Sequence, residues 1–199
     1  MNDPFELLAA DLRNKNDRVK FARYREWVSE RYGIVCCCEH WGVTLMWSHY
    51  ADRHSGVALE VEVDENIAER VKYSKARLVF DTIAKMAAGG FTEEDTINLV
   101  YTKARDWKYE REVRVLVKLT DCIKDAGLIF EPCASTFRIV GLIKGPRSSV
   151  SDADIQRSLP HGKSIAVRTS RLAFKSFEIV EDKAHPPVEV AGNGYGKAL

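Results

Sequence analysis

Apolar and polar residues alternate along this chain with two different periods, and the switches between them mark out the elements. Val43, Met46, Trp47, Tyr50 and Ala51 recur at the i, i+3, i+4, i+7, i+8 spacing of one helical face. Val57, Leu59, Val61 and Val63 then alternate with Ala58, Glu60 and Glu62, which is strand spacing. Gly56 stands at the switch, where a permissive backbone is expected. Helix, corner and strand together predict a wall carrying Trp47, His49, Tyr50 and His54. Such rings serve either as core packing or as the lining of a site.

The same reading extends along the chain. Asp3, Pro4 and Glu6 are placed to cap a helix start, with Phe5, Leu8 and Leu12 as its apolar edge. Residues 17–32 predict an amphipathic helix stopped by Gly33. Arg18, Lys20, Arg23, Arg25 and Arg31 make it basic, as a solvated face or a phosphate contact. A short buried strand is expected over 34–38, and a short helix over 64–70. A strand should return over 71–73 or 77–80, and a helix over 81–88 should break at Gly89-Gly90. Thr92 caps a helix expected to run to Arg105. Val113, Val115 and Val117 define a strand, with Glu110, Glu112 and Arg114 on its opposite face. Carboxylates two residues apart on one strand face, about 7 Å, repel unless a cation sits between them, and Arg114 is the candidate partner. Residues 122–134 read as irregular. Strands are expected over 137–144, 164–168 and 177–180, and a short helix from Ser151 or Asp152 to Leu159. The Gly145–Ser149 stretch is an ordinary turn or an anion-binding loop.

Composition narrows the class. The chain has 199 residues, 45% hydrophobic and 30% charged, which suits a globular domain. Its formal net charge of +1 supplies no general attraction to nucleic acid or acidic membrane, though a local basic patch remains open. No apolar run of membrane-spanning length occurs, so no membrane partner is expected. The five cysteines, with Cys36, Cys37 and Cys38 consecutive, do not make a disulfide framework and point to a reducing cytoplasm. Cys36, Cys38 and His40 would make half a zinc site on one strand face. With Cys122 and Cys133 each standing alone, buried strand cysteines are the better reading, and no metal is expected.

Three blocks carry a resemblance. They are Asn2-Asp3-Pro4-Phe5-Glu6; then Trp47, His49, Tyr50, Ala51, His54 and Gly56; then Trp107, Tyr109, Glu110, Glu112 and Arg114. In residue type, order and separation they resemble a bacterial domain-of-unknown-function family across most of residues 1–181. The pattern is similar to the wider ADP-ribosyltransferase-like group. That resemblance implies an α+β fold: a small mixed β core split by a cleft and flanked by helices, with NAD bound in the cleft as substrate. It implies Glu112 as the acid that steadies the sugar cation when nicotinamide leaves, with Glu110 as its alternate. Trp47 and Tyr50 would stack on the nicotinamide or ribose, His49 and His54 would bind ribose hydroxyls or phosphate, and Arg114 would orient the carboxylate. Tyr109 joins them as a substrate-binding candidate.

In the family a segment with a first strand precedes Asn-Asp-Pro-Phe-Glu. Here that motif opens the chain, so a single domain over 1–181 lacking an N-terminal strand is expected, followed by a mobile tail over 182–199. Three functions follow as expectations. The first is an NAD-consuming transferase or glycohydrolase, a toxin or phage-defence effector acting on a protein or nucleic-acid acceptor. The second is a non-catalytic nucleotide-binding module with a degenerate pocket. The third is a metal-dependent nuclease built on Glu60, Glu62, Glu110 and Glu112.

Overall fold

Asn14 accepts the Asn16 amide on its side chain and so opens the first helix, which buries Phe21 and Val28. The computed structural model describes residues 3–80, 85, 90–132 and 136–194. Its helices in chain order are α1 (Lys15–Ser29), α2 (Thr44–Tyr50), α3 (Glu93–Val100) and α4 (Asp152–Ser158). Its strands are β1 (Tyr32–Cys38), β2 (Val57–Val63), β3 (Ala68–Arg70), β4 (Lys72–Ser74), β5 (Thr102–Ala104) and β6 (Glu112–Lys118). They continue with β7 (Ile123–Asp125), β8 (Leu128–Phe130), β9 (Phe137–Lys144), β10 (Ser164–Leu172), β11 (Ile179–Glu181) and β12 (Val188–Ala191). The class is α+β. The chain divides into two units, Met1–Glu39 with Glu65–Phe130, and His40–Asp64 with Glu131–Leu199.

In the first unit β6 lies between β1 and β3, antiparallel to both. Strands β4 and β5 pair in parallel, and β7 and β8 form a hairpin. Ala10, Phe21 and Leu99 make the apolar core, with Leu12, Leu78 and Phe91 packed on it. In the second unit the sheet runs β11-β10-β9-β2, with β12 also on β10; β9 and β10 are parallel and the other pairs antiparallel. Adjacent strand residues point to opposite faces. Leu142 packs with Ile155 of α4, whereas Ile143 packs with Trp47 of α2, so this sheet is covered on both sides.

Several local expectations are replaced. Residues 4–7 form a turn rather than a helix start, and Leu7 takes φ +55°. Asp64 does not cap a helix; Ala68–Arg70 is drawn into pairing with β6 instead. The helix from Thr92 stops at Val100, because Thr102–Ala104 pairs with β4. The stretch 122–134 holds a hairpin whose turn, Ala126 at φ +48° and Gly127 at φ +80°, matches the twist of its strands. Within the stretch that reads as a tail, Val188–Ala191 pairs with β10 and buries Val190. The corner before β2 is turned by Asp52, Arg53 and His54, at φ 44°, 52° and 77°, not by Gly56. Gly56 is needed there for close approach, since a Cβ would lie 3.0 Å from the Ala51 carbonyl. The helix expected over 81–88 lies, Lys85 apart, outside the described residues, as do Asn2 and Cys133.

Candidate functional site

The first and third sequence blocks meet in the first unit, around β6. Pairing of β5 with β4 sets Lys103 opposite Tyr73. A 3-10 turn over Arg105–Glu110 brings Glu110 back beside it, and Arg111 at φ +45° swings the chain into β6. The β6 register places Glu112 opposite Cys38 and Arg114 opposite Cys36 on one face of the sheet. Tyr73 accepts the Glu112 backbone N–H at 2.8 Å.

The side chains form one continuous ionic network. Lys103 donates to Glu110, and to Glu112 at 2.9 Å. Arg114 donates from Nε to Glu112 Oε1 at 2.7 Å and from Nη2 to Oε2 at 3.1 Å, the two-pronged pairing a guanidinium fork allows. Its Nη2 also reaches Glu6 at 2.8 Å, and its Nη1 donates to the Val100 carbonyl. Lys103 lies 3.8 Å from Glu6. Exposure of 6% for Lys103, 2% for Glu110, 5% for Glu112 and 0% for Arg114 shows that water takes almost no part. Trp107 closes one side, with the Lys103 ammonium 5.1 Å from its ring centre and Tyr109 beside it at 5.9 Å.

Among the described residues this network joins three carboxylates, Glu6, Glu110 and Glu112, to two cations, Lys103 and Arg114. Burial by itself would raise the Glu112 carboxyl, but hydrogen bonds from Arg114, Cys36 and Lys103 outweigh it and hold the group at about 2. For Cys36, burial and the hydrogen bond to Glu112 act together and push its thiol up to about 12. Cys36 is exposed as a residue, yet its thiol is tied to this buried carboxylate. A thiol held neutral in this way is a poor nucleophile. Burial would lower both cations, but their carboxylate partners raise Lys103 and Arg114 instead, so both stay charged.

The second block lies in the other unit. Trp47 is 3% exposed, packs with Ala51, Ile143 and Ile179, and donates its indole N–H to the Trp41 carbonyl at 2.5 Å. Its ring is therefore core. Tyr50 is 54% exposed and stands edge-on to the exposed His49 at 6.2 Å. His54 sits on the left-handed corner, which the turn after β9 braces: Gly145 N–H donates to the Gly56 carbonyl and Arg147 N–H to that of His54. The His54 Nδ1 is buried with no hydrogen-bond partner among the described residues. Left-handed conformation at three successive non-glycine residues costs on the order of 1 kcal/mol each, so the bracing is needed. Glu60 and Glu62 on β2 pair with Arg168 and Arg138 near the surface.

Glu110, Glu112, Arg114 and Tyr109 thus belong to one unit, and Trp47, His49, Tyr50 and His54 to the other. Glu6, Lys103 and Tyr73 join the carboxylates without having been site candidates, and Cys36, a candidate only for half a zinc site, joins them as a hydrogen-bond donor. Glu6 was visible as a cap and as the last residue of the first block, and Lys103 stands in sequence just ahead of the third block without belonging to it. Among the described residues no group of three or more His, Cys, Asp or Glu is placed to hold a metal ion, and no helix is long and apolar enough to cross a membrane.

A family described as "Protein of unknown function (DUF2971)" matches the chain over residues 46–115, a span that holds the second block and the third up to Arg114. No curated protein and no solved structure matches it.

Proposed function

We propose that this chain is a non-catalytic, nucleotide-binding module of ADP-ribosyltransferase-like type, in which the carboxylate pair holds the fold together instead of doing chemistry. One observation carries the reading. Both oxygens of Glu112 are occupied by Arg114 and Lys103, in a site almost closed to water. A carboxylate that steadies a developing sugar cation must turn an uncompensated oxygen toward it, since only an interaction that strengthens in the transition state speeds the reaction. Glu112 has already given that stabilisation to two side chains. The nucleotide as ligand class rests on the resemblance of the three blocks.

Thermal shift with NAD and with ADP-ribose, beside an assay for nicotinamide release, tests this. A raised melting temperature with either ligand and no nicotinamide is the expected result. No shift with either would remove the nucleotide from the reading.

A second reading, an NAD-consuming transferase or glycohydrolase, draws on the charge count. Among the described residues the network gathers three carboxylates and two cations, a concentration of acid suited to receiving a sugar cation. Nicotinamide release by the chain, lost in a Glu112→Gln variant that circular dichroism shows to be still folded, would establish it and overturn the first.

A further inference from the structure

We infer that the edge of α1 formed by Arg23, Trp27 and Arg31, continued by Tyr32 and Lys118, is a binding surface for single-stranded nucleic acid. This inference is independent of the function proposed above.

Residues three and four apart on a helix are neighbours on its surface, so Arg23, Trp27 and Arg31 form one row along α1 and its C-terminal edge. Trp27 is 45% exposed, although the same helix buries Phe21 in a core less than two turns away. It lies nearly parallel to Tyr24, with 17° between ring planes and 6.2 Å between centres, and 6.3 Å from Tyr32. Tyr24 packs inward, 4.4 Å from Phe91 and bonded to Thr96, and backs Trp27 from the core side, so the rings on the outer edge are the exposed Trp27 and the half-buried Tyr32. The Arg31 guanidinium covers Trp27 at 4.8 Å from its centre. Arg23 is exposed, and Lys118 is exposed directly across the strand pair from Tyr32. The acids nearby are engaged: Glu30 pairs with Arg31 at 3.2 Å and Asp95 with Lys85 at 2.6 Å. Glu26 points about 100° away from Trp27 around the helix.

Two neighbouring aromatic rings edged by cations match the two features of an unpaired strand, flat bases and regularly spaced phosphates. In a duplex the bases already stack on each other, so the rings would have nothing to receive. An acidic peptide would satisfy the cations but leave the rings unused. Arg31 already lies over Trp27 as a base would, and its flexible side chain can swing to a phosphate when a base takes its place.

The test is fluorescence polarisation of the full chain with a labelled oligo-uridine and a labelled oligo-thymidine, with Trp27→Ala and Arg23→Ala compared. Both substitutions are on the surface, and circular dichroism is to be run on each to check that it folds as the parent chain does. Binding should weaken roughly tenfold or more in Trp27→Ala. Log affinity should fall with log salt at a slope of about −2, as contacts to three phosphates on a single strand require. Absence of binding at low salt, binding unchanged in Trp27→Ala, or stronger binding to poly-glutamate than to either oligonucleotide would each overturn the inference.

Discussion

Strands β2 and β6 look alike in sequence and are treated oppositely by the fold. Each alternates branched apolar residues with charged ones, Val57-Ala58-Leu59-Glu60-Val61-Glu62-Val63 in one and Glu112-Val113-Arg114-Val115-Leu116-Val117-Lys118 in the other. On β2 the carboxylates face the margin, and Glu62 and Arg138 pair with side chains 60% and 73% exposed. On β6 the charged face is the inner one, and Arg114 is buried completely. The alternation fixes which residues share a face. Which face turns inward is decided by what the rest of the chain lays over it: here Glu6 from the first block, Lys103 from β5 and the Val100 carbonyl at the end of α3.

The comparison breaks or holds most clearly at Arg114. Replacing it by Met leaves Glu112 and Glu6 buried with one cation fewer, and such unpairing costs about 3–5 kcal/mol. Urea unfolding should show a loss of that size; a loss no larger than that of Arg138→Ala would erase the distinction between the strands. Next in size is the acid limb. The Glu112 carboxyl is held at about 2 in the folded chain against an ordinary value of 4.5. Its contribution is complete above 4.5 and is lost as pH falls from there to about 2. Stability measured across that interval should drop, and Glu112→Gln should flatten the drop while lowering stability at neutral pH. The alkaline side has the opposite sign. The Cys36 thiol, raised from 9.0 to about 12, favours folding below 9.0 and ceases to do so as pH climbs to 12. Cys36→Ala should remove that part of the alkaline loss. The smallest effect is expected on β2, where Arg138→Ala should change stability by no more than about 0.5 kcal/mol, as for exposed pairs in general.

Much of the chain was readable from period alone. The 57–63 and 137–144 strands have the ends that alternation or an apolar run suggests, and α1 begins two residues before the expected start. Strand β6 begins only at Glu112, so Glu110, expected on the same strand face, lies instead in the preceding 3-10 turn. Readings failed where a distant partner outbid a local signal. Asp64 has the chemistry of a cap, yet the residues after it pair with β6. Glu6 has the spacing of a capping box, yet its carboxylate goes to Arg114, 108 residues away. No local rule connects those two positions. The ion network was half legible for the same reason: Glu110, Glu112 and Arg114 announce themselves by proximity in sequence, whereas Glu6 and Cys36 enter through sheet register and a turn. The β7–β8 hairpin could have been found, because Asp125-Ala126-Gly127 is compatible with a tight turn whose Gly takes the left-handed position.

The corner at Asp52, Arg53 and His54 behaves as a wound spring held by a latch. The latch is Gly145, where even a methyl group would sit 2.3 Å from the His54 carbonyl oxygen. Gly145→Ala would push that carbonyl away and let the coil unwind into the run leading to β2, loosening the one helix-to-strand junction that presents His49 and Tyr50 to solvent. Glycine at positions 52 to 54 would slacken the coil while leaving its catch in place, so the two kinds of change would uncouple how the junction is shaped from how firmly it is held.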